Sequence, residues 1–147
     1  MNWFEIPDQE IWEQRQRWFE KLGDSIQGEG SYLVSEQACA LIGEARTCFC
    51  AGAWIAVIVL VIAVVDAQLR ETELPGFRGN TQRLFNDVQA NPKLQRLRQR
   101  RNAIIHISTD SPAITVDQQW ANQKELEQEA KEAIELMFEA FYMSPGT

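Results

Sequence analysis

The residues best equipped for chemistry lie in one basic segment, between Arg98 and His106. Its sequence is RQRRNAIIH, and His106 is the only histidine among 147 residues. Histidine exchanges protons near neutral pH because its unperturbed pKa is roughly 6.5. Arginine carries a permanent charge on a fork of donors that fits phosphate oxygens. Together these side chains could attack a phosphodiester, provided that they converge in space.

The positive charge of the chain is concentrated in the part that holds this segment. Residues 67–107 carry 8 basic and 3 acidic side chains, whereas residues 1–66 carry 4 and 10, and residues 108–147 carry 2 and 8. The net charge of −7 argues against a protein that coats nucleic acid indiscriminately. The local positive field suits a small anionic or phosphate-bearing target. A solvated basic helix face, neutralised by the acidic C-terminal helix, explains the same distribution.

The composition predicts an all-α domain with no metal and no cofactor. Five Pro and eight Gly, together with long segments rich in Glu, Gln, Ala, Leu and Arg, favour helices. Cys39, Cys48 and Cys50 form no metal-ligand pattern with a single histidine. We expect them to be free thiols in a reducing compartment. The N-terminus does not resemble a signal peptide, which favours the cytoplasm.

An uncharged run from Thr47 to Val65 has three interpretations. It has 19 residues, but only the 12 from Trp54 onward are strongly aliphatic, and a membrane span needs about 20. No Lys/Arg cluster flanks it. Its Val and Ile residues would also fit a buried strand, but the length and the amphipathic continuation to Leu74 favour a helix. We predict a central buried helix, covered by other helices or partly by a second subunit, and no membrane span.

Polar caps and breaks divide the rest of the chain. The residues expected to begin helices are Asp8, Ser35, Asn80 or Thr81, and Asn91 ahead of Pro92. The first helix is expected to end at Gly23, and Gly52 to mark a bend. The last helix is expected to run from about Asp117 to Tyr142.

The basic helix after Pro92 has one apolar face. At about 100° per residue, Leu97, Ile104 and Ile105 fall within about 80° of Leu94. Arg101 falls within about 20° of the same direction. This position is unusual, because burying an unpaired guanidinium is costly.

His106 and Asn102 lie four positions apart on the flank of that face, close enough to interact. A structural explanation is also open. In it, His106 stabilises the C-terminus of the helix and Arg101 pairs with an inward Glu or with Asp66.

The pattern Arg101-Asn102-x-x-x-His106 resembles the R-x(4–6)-H motif of HEPN domains, in which a polar residue usually follows the arginine. The segment EARTCFCAGAW, leading into an aliphatic helix that contains DAQL, resembles the opening of many bacterial members. A Glu- and Ala-rich amphipathic helix closes the chain in a similar way. The resemblance covers about residues 35–143.

Residues 1–34 lie outside the resemblance and are expected to form an added N-terminal helix and loop. This segment contains Trp3, Trp12 and Trp18. We expect it to pack on the bundle or to bind a partner.

The resemblance implies an up-down bundle of four to five core helices over residues 35–147. Such bundles usually pair about a two-fold axis, where the motif helices meet. Many members are metal-independent endoribonucleases of toxin–antitoxin, phage-defence and RNA-processing systems. Others have lost activity and serve as nucleotide- or RNA-binding or protein-assembly modules. The implied partners are a second copy, RNA as substrate, and an antitoxin or other protein.

Carried over to this chain, the motif assigns three catalytic residues. His106 would be the general base on a ribose 2′-hydroxyl or the acid toward the leaving oxygen. Arg101 would stabilise charge on the phosphate, and Asn102 would orient His106 or substrate. Arg100 also satisfies the spacing, so either arginine can be the motif residue. The residues expected to bind substrate phosphate are Lys93, Arg96, Arg98 and Arg100.

Overall fold

The computed structural model describes residues 5–145, and within this part the secondary structure is helical. The seven helices of residues 5–145 are α1 (Gln9–Gln27), α2 (Glu36–Ala51), α3 (Trp54–Thr72), α4 (Thr81–Asp87), α5 (Pro92–Ile105), α6 (Val116–Ala121) and α7 (Gln123–Phe141). The predicted all-α bundle is therefore confirmed.

Side-chain caps begin four helices where the sequence predicts them. Each cap accepts a hydrogen bond of 2.9–3.2 Å from a backbone N–H two or three residues further along. These caps are Asp8, Ser35, Asn80 and Asn91. Such a bond satisfies one of the N–H groups that a helix start leaves without a partner.

The predicted end of the first helix at Gly23 is wrong. α1 continues to Gln27 and ends at Gly28, whose φ of +59° is left-handed. Gly23 is buried instead, and a Cβ built on it would lie 2.9 Å from Cζ of Phe138. Glycine is favoured here because α1 and α7 approach closely, a tertiary reason that the local sequence does not show.

The prediction of a single last helix is also wrong. The segment forms two helices, α6 and α7, which meet at Asn122 with φ −108° and ψ 34°. α6 begins one residue before Asp117, with a capping box between Thr115 and Gln118. α7 ends at Phe141, one residue before the predicted end.

α3 is the central helix, as predicted, and contacts α2, α4, α5 and α7. Nine of its residues are buried, and its apolar length is explained by these neighbours. Within residues 5–145, no helix combines the length and hydropathy that crossing a bilayer requires.

α1 packs on α2 and α7 rather than standing apart. The ring of Phe19 lies 5.1 Å from Phe138 and 6.3 Å from Phe49, measured between ring centroids. The N-terminal helix therefore shares the core of the bundle. Of the three tryptophans in residues 1–34, Trp3 lies outside the described residues.

One buried amide, Gln68 on α3, ties three parts of the chain together. Its Oε1 accepts from the N–H of Ser35 at 2.8 Å, and its Nε2 donates to the carbonyls of Leu33 at 3.0 Å and Phe141 at 3.4 Å. These bonds satisfy the amide inside an apolar core, where an unpaired polar group is costly.

Candidate functional site

Two faces of α5 carry the predicted site residues. One face, with Arg101, borders a cavity against α3 and the α3–α4 loop. The other, with Lys93, Arg96 and Arg100, borders a groove against α7. The predicted residues are therefore divided between two different surfaces.

Arg101 is a half-buried guanidinium that forms no ion pair with the described residues. Its Nε donates to Oδ1 of Asn102 at 2.8 Å. Burial lowers the pKa of Arg101, repulsion from Arg98 acts in the same direction, and attraction to Asp66 opposes both. The charge is kept without a partner that would neutralise it, so it is available to an anion.

The cavity beside Arg101 has a volume of about 630 Å³, within the range typical of small-molecule sites. Its walls come from α2, α3, the loop after α3, the start of α4, and α5. Among the residues that line it are Gln37, Ala63, Asp66, Arg70, Thr81 and Arg101.

The wall of this cavity on α3 is held by an ion pair between Asp66 and Arg70. Nε and Nη2 of Arg70 donate to the two carboxylate oxygens at 3.0 and 2.8 Å, and Thr81 adds a third bond at 2.8 Å. The Nη1 of Arg70 donates to the carbonyl of Gly79 at 2.8 Å. This network, the Asp66 clip, fixes the α3–α4 loop. The alternative in which Asp66 pairs directly with Arg101 is therefore wrong.

The Asp66 clip also sets the charge state of its carboxylate. Burial tends to raise the pKa of Asp66, but hydrogen bonds from Arg70 and Thr81 and the nearby guanidinium charges outweigh this and lower it. Asp66 is thus an ionised acceptor that already accepts three hydrogen bonds, and it is unsuited to act as a general base.

His106 lies at the C-cap of α5, and its side chain is exposed. Its backbone N–H donates to the carbonyl of Asn102 at 2.9 Å. It is not among the residues that line the Arg101 cavity. Within one chain, Arg101 and Asn102 come together and His106 stays outside. Asn102 binds Arg101 here, so it orients the arginine.

Arg100 is committed to structure. Its Nε and Nη2 donate to the two carboxylate oxygens of Glu129 on α7 at 2.9 and 3.3 Å, and its Nη1 donates to the carbonyl of Ala113 at 3.3 Å. These contacts join α5 to α7 and to the loop before α6. Arg101, rather than Arg100, therefore retains donors for a ligand.

Lys93 and Arg96 line the groove of about 570 Å³ between α5 and α7. The opposite wall is acidic and includes Glu132, Glu135 and Glu139. Carboxylates this close weaken the attraction of Lys93 and Arg96 for phosphate. The surface fits the alternative explanation of the charge distribution, a solvated basic helix face neutralised by the acidic C-terminal helix.

Arg98, the remaining predicted phosphate-binding residue, is on the Arg101 side of α5. Its Nε donates to Oε1 of Gln95 at 2.8 Å, and its charge acts on Arg101. It is the one residue of this predicted set that adds positive potential near Arg101.

The sequence reasoning missed Arg70 and Thr81. The spacing of four between Asp66 and Arg70 on a helix was a usable signal. No local signal predicted Thr81, because the α3–α4 loop brings it back to α3.

One stripe of α3 stays only partly covered by the bundle. The residues of this α3 stripe are Ala56, Val59, Leu60, Ala63 and Ala67. Ala63 and Ala67 also line the Arg101 cavity. The stripe therefore leads into the cavity.

Apolar side chains also flank the histidine at the end of α5. Ile105 is 48% exposed and Ile107 is 89% exposed. These two side chains add exposed apolar surface next to His106.

The chain matches no protein-family model, no curated protein and no solved structure. Among residues 5–145, no three side chains of His, Cys, Asp or Glu lie together in a way that could hold a metal ion.

Proposed function

We propose that this protein is a dimeric, metal-independent endoribonuclease of HEPN type. The observation that carries the proposal is the state of Arg101. It is a half-buried guanidinium that pairs with no carboxylate among residues 5–145, held by Asn102, at the wall of a cavity of about 630 Å³. Partial burial of a guanidinium that has no direct ion pair is unfavourable, and binding an anionic ligand there would offset that cost.

In the proposed reaction, His106 takes the proton of a ribose 2′-hydroxyl and the 2′-oxygen attacks the adjacent phosphorus. The bond from phosphorus to the 5′-oxygen breaks, and that oxygen accepts a proton. Arg101 stabilises the negative charge that builds on the phosphate oxygens. The products are a 2′,3′-cyclic phosphate and a 5′-hydroxyl.

The dimer is part of the proposal because one chain leaves the site incomplete. His106 lies outside the cavity of its own chain, and the α3 stripe that leads into the cavity is apolar and only partly covered. We propose that a second copy covers the stripe, so that His106 of the partner subunit reaches Arg101.

Cleavage of mixed RNAs in the presence of a chelator tests the activity. We expect Arg101→Ala and His106→Ala each to lower the rate of cleavage at least about 10²-fold, while the free energy of unfolding stays within about 1–2 kcal/mol of wild type. Arg96→Ala is the matched control, because it removes an exposed arginine on the α7 side of the same helix. If both site variants cleave as well as wild type, the proposal is wrong.

The composite site has its own test. A heterodimer of the Arg101→Ala and His106→Ala chains contains one intact Arg101–His106 combination if the two residues come from different subunits. We expect mixed, co-refolded variants to regain part of the activity that each lacks alone. No recovery in verified heterodimers would place both residues in the same chain.

The interface is tested by Leu60→Glu, which puts a charge in the middle of the α3 stripe. We expect this variant to be monomeric by light scattering and inactive on RNA. Leu33→Glu is the control, because Leu33 is also exposed but lies in the loop before α2. A dimer that survives Leu60→Glu would exclude this stripe as its interface.

A second candidate function is a HEPN-like binding or assembly module without activity. The position of His106 outside the Arg101 cavity favours it. It predicts the same dimer and binding of RNA, but no products.

The family resemblance also favours a toxin or defence function, with an antitoxin as protein partner. If so, expression in bacteria should arrest growth, and the arrest should require both Arg101 and His106.

A further inference from the structure

A second cavity lies at the opposite end of α3 from the Asp66 clip, beside the α2–α3 turn. Its volume is about 280 Å³, at the lower limit of small-molecule sites, which span about 300–1,000 Å³. It has room for one small ring system. The residues that matter for its chemistry are Glu5, Arg15, Gly52, Trp54, Trp120 and Gln123.

Trp120 is the aromatic ring of this cavity that remains free for a ligand. It lies on α6 and is 49% exposed, whereas Trp54 is 4% exposed. Trp54 is already engaged, since the guanidinium of Arg15 lies 4.8 Å from its ring centroid and its Nε1 donates to Gln123 at 3.1 Å. A half-exposed indole at the wall of a cavity is a platform for stacking a planar ring.

Glu5 and Arg15 line the same cavity, yet no ion pair joins them. One donor of Arg15 is used by the carbonyl of Cys50 at 3.1 Å, which anchors the guanidinium and leaves the rest of its fork. Gly52 gives it room, because a Cβ there would lie 3.2 Å from Nη1 of Arg15. A fixed cation and a carboxylate thus face a space that neither fills.

We propose that this cavity binds a guanine base. Guanine presents two acceptors, O6 and N7, to which arginine is the commonest specific partner. Its N1–H and N2–H₂ donors lie side by side and match the two acceptor oxygens of a carboxylate. Arg15 takes the acceptors, Glu5 takes the donors, and Trp120 stacks on the ring.

The other common bases fit this arrangement less well. Adenine and cytosine offer a single amino group in place of the paired donors, and uracil offers one ring N–H between two carbonyl acceptors. Glu5 is therefore the residue that selects guanine, and Trp120 contributes to the affinity for any base.

The test titrates the intact protein with GMP, AMP, CMP and UMP, using calorimetry and the NMR signals of the indole N–H groups. We expect GMP to bind at least about tenfold more tightly than the other three, with the Trp120 signal shifted. Loss of a stacking platform weakens binding to bases by about tenfold, so Trp120→Ala should weaken all four nucleotides to this extent.

Glu5→Gln should remove the preference for GMP without changing the stacking. Glu10→Gln is the matched control, because it makes the same change at an exposed carboxylate in the first turn of α1. No saturable binding of GMP, equal affinity for all four nucleotides, or a Trp120 signal that GMP does not shift would each overturn the proposal.

Two oligonucleotides, UUGUU and UUAUU, distinguish the two possible sources of the base, RNA and a free nucleotide. A guanine in RNA predicts that UUGUU binds more tightly than GMP and UUAUU does not. A free guanine nucleotide predicts the reverse order for GMP and UUGUU. Binding should persist in Arg101→Ala, so failure of this proposal and failure of the ribonuclease proposal are distinguishable.

Discussion

Replacing the adjacent arginines Arg100 and Arg101 by alanine should separate stability from catalysis. The side chains of Arg100 and Glu129 are 30% and 38% exposed, so solvent screens their ion pair. The pair and the bond to the carbonyl of Ala113 each contribute about 0.5–1 kcal/mol. We therefore expect Arg100→Ala to lower the free energy of unfolding by about 1–2 kcal/mol and to leave RNA cleavage close to that of wild type.

Arg101→Ala should do the opposite. Within the described part of the chain it breaks no ion pair, and its bond to Asn102 contributes about 0.5–1.5 kcal/mol, against which burial and repulsion from Arg98 act. The free energy of unfolding should therefore change by less than about 1 kcal/mol. Losing one donor that stabilises transition-state charge reduces the rate about 10²–10³-fold.

Urea denaturation and initial cleavage rates on the same preparations check both expectations. Glu129→Gln serves as the control for Arg100, because it breaks the same ion pair from the α7 side. A folded Arg100→Ala variant without activity, beside an active Arg101→Ala variant, would refute the assignment of Arg101 as the motif arginine.

Two further predictions concern packing and pH. Gly23→Ala should destabilise the protein by about 1–3 kcal/mol through the contact with Phe138. Gly43→Ala is the control, because its helical site has nothing within 4 Å, and it should be neutral or stabilising. Urea denaturation measures both variants, and equal effects would contradict the close approach of α1 and α7. Because the pKa of Asp66 is lowered by folding, its carboxylate stabilises the fold above about pH 4 and loses this effect as the pH falls. Asp66→Asn should therefore be less stable than wild type at pH 7, with a gap that narrows at pH 3, and a gap that persists in acid would argue against a charge effect.

The helix starts were predictable because each cap is a local bond between residues two or three apart. Asp8, Ser35, Asn80 and Asn91 need no tertiary information. Gly23 was misread because its lack of a side chain serves contact with α7, more than a hundred residues away.

The candidate site was predictable only in part. The motif indicated Arg101 and Asn102, whose side chains the structure brings into contact. The helical period of about 100° per residue placed Arg101 on the inner face of α5. The sequence left Arg100 as an equal alternative, because only the packing of α7 shows that Glu129 occupies it. The position of His106 relative to Arg101 depends on how the end of α5 meets its surroundings, which periodicity does not specify.

The buried amide of Gln68 has a consequence for how the chain tolerates change at this position. Glutamate would supply the acceptor that Ser35 needs, but it has no donor for the carbonyls of Leu33 and Phe141. Leucine would fill the space but leave all three backbone groups without the hydrogen bonds that Gln68 provides. Only a side chain that both donates and accepts hydrogen bonds can connect the loop before α2 to the last turn of α7. A library of all substitutions at position 68 should therefore return glutamine almost alone among the folded clones.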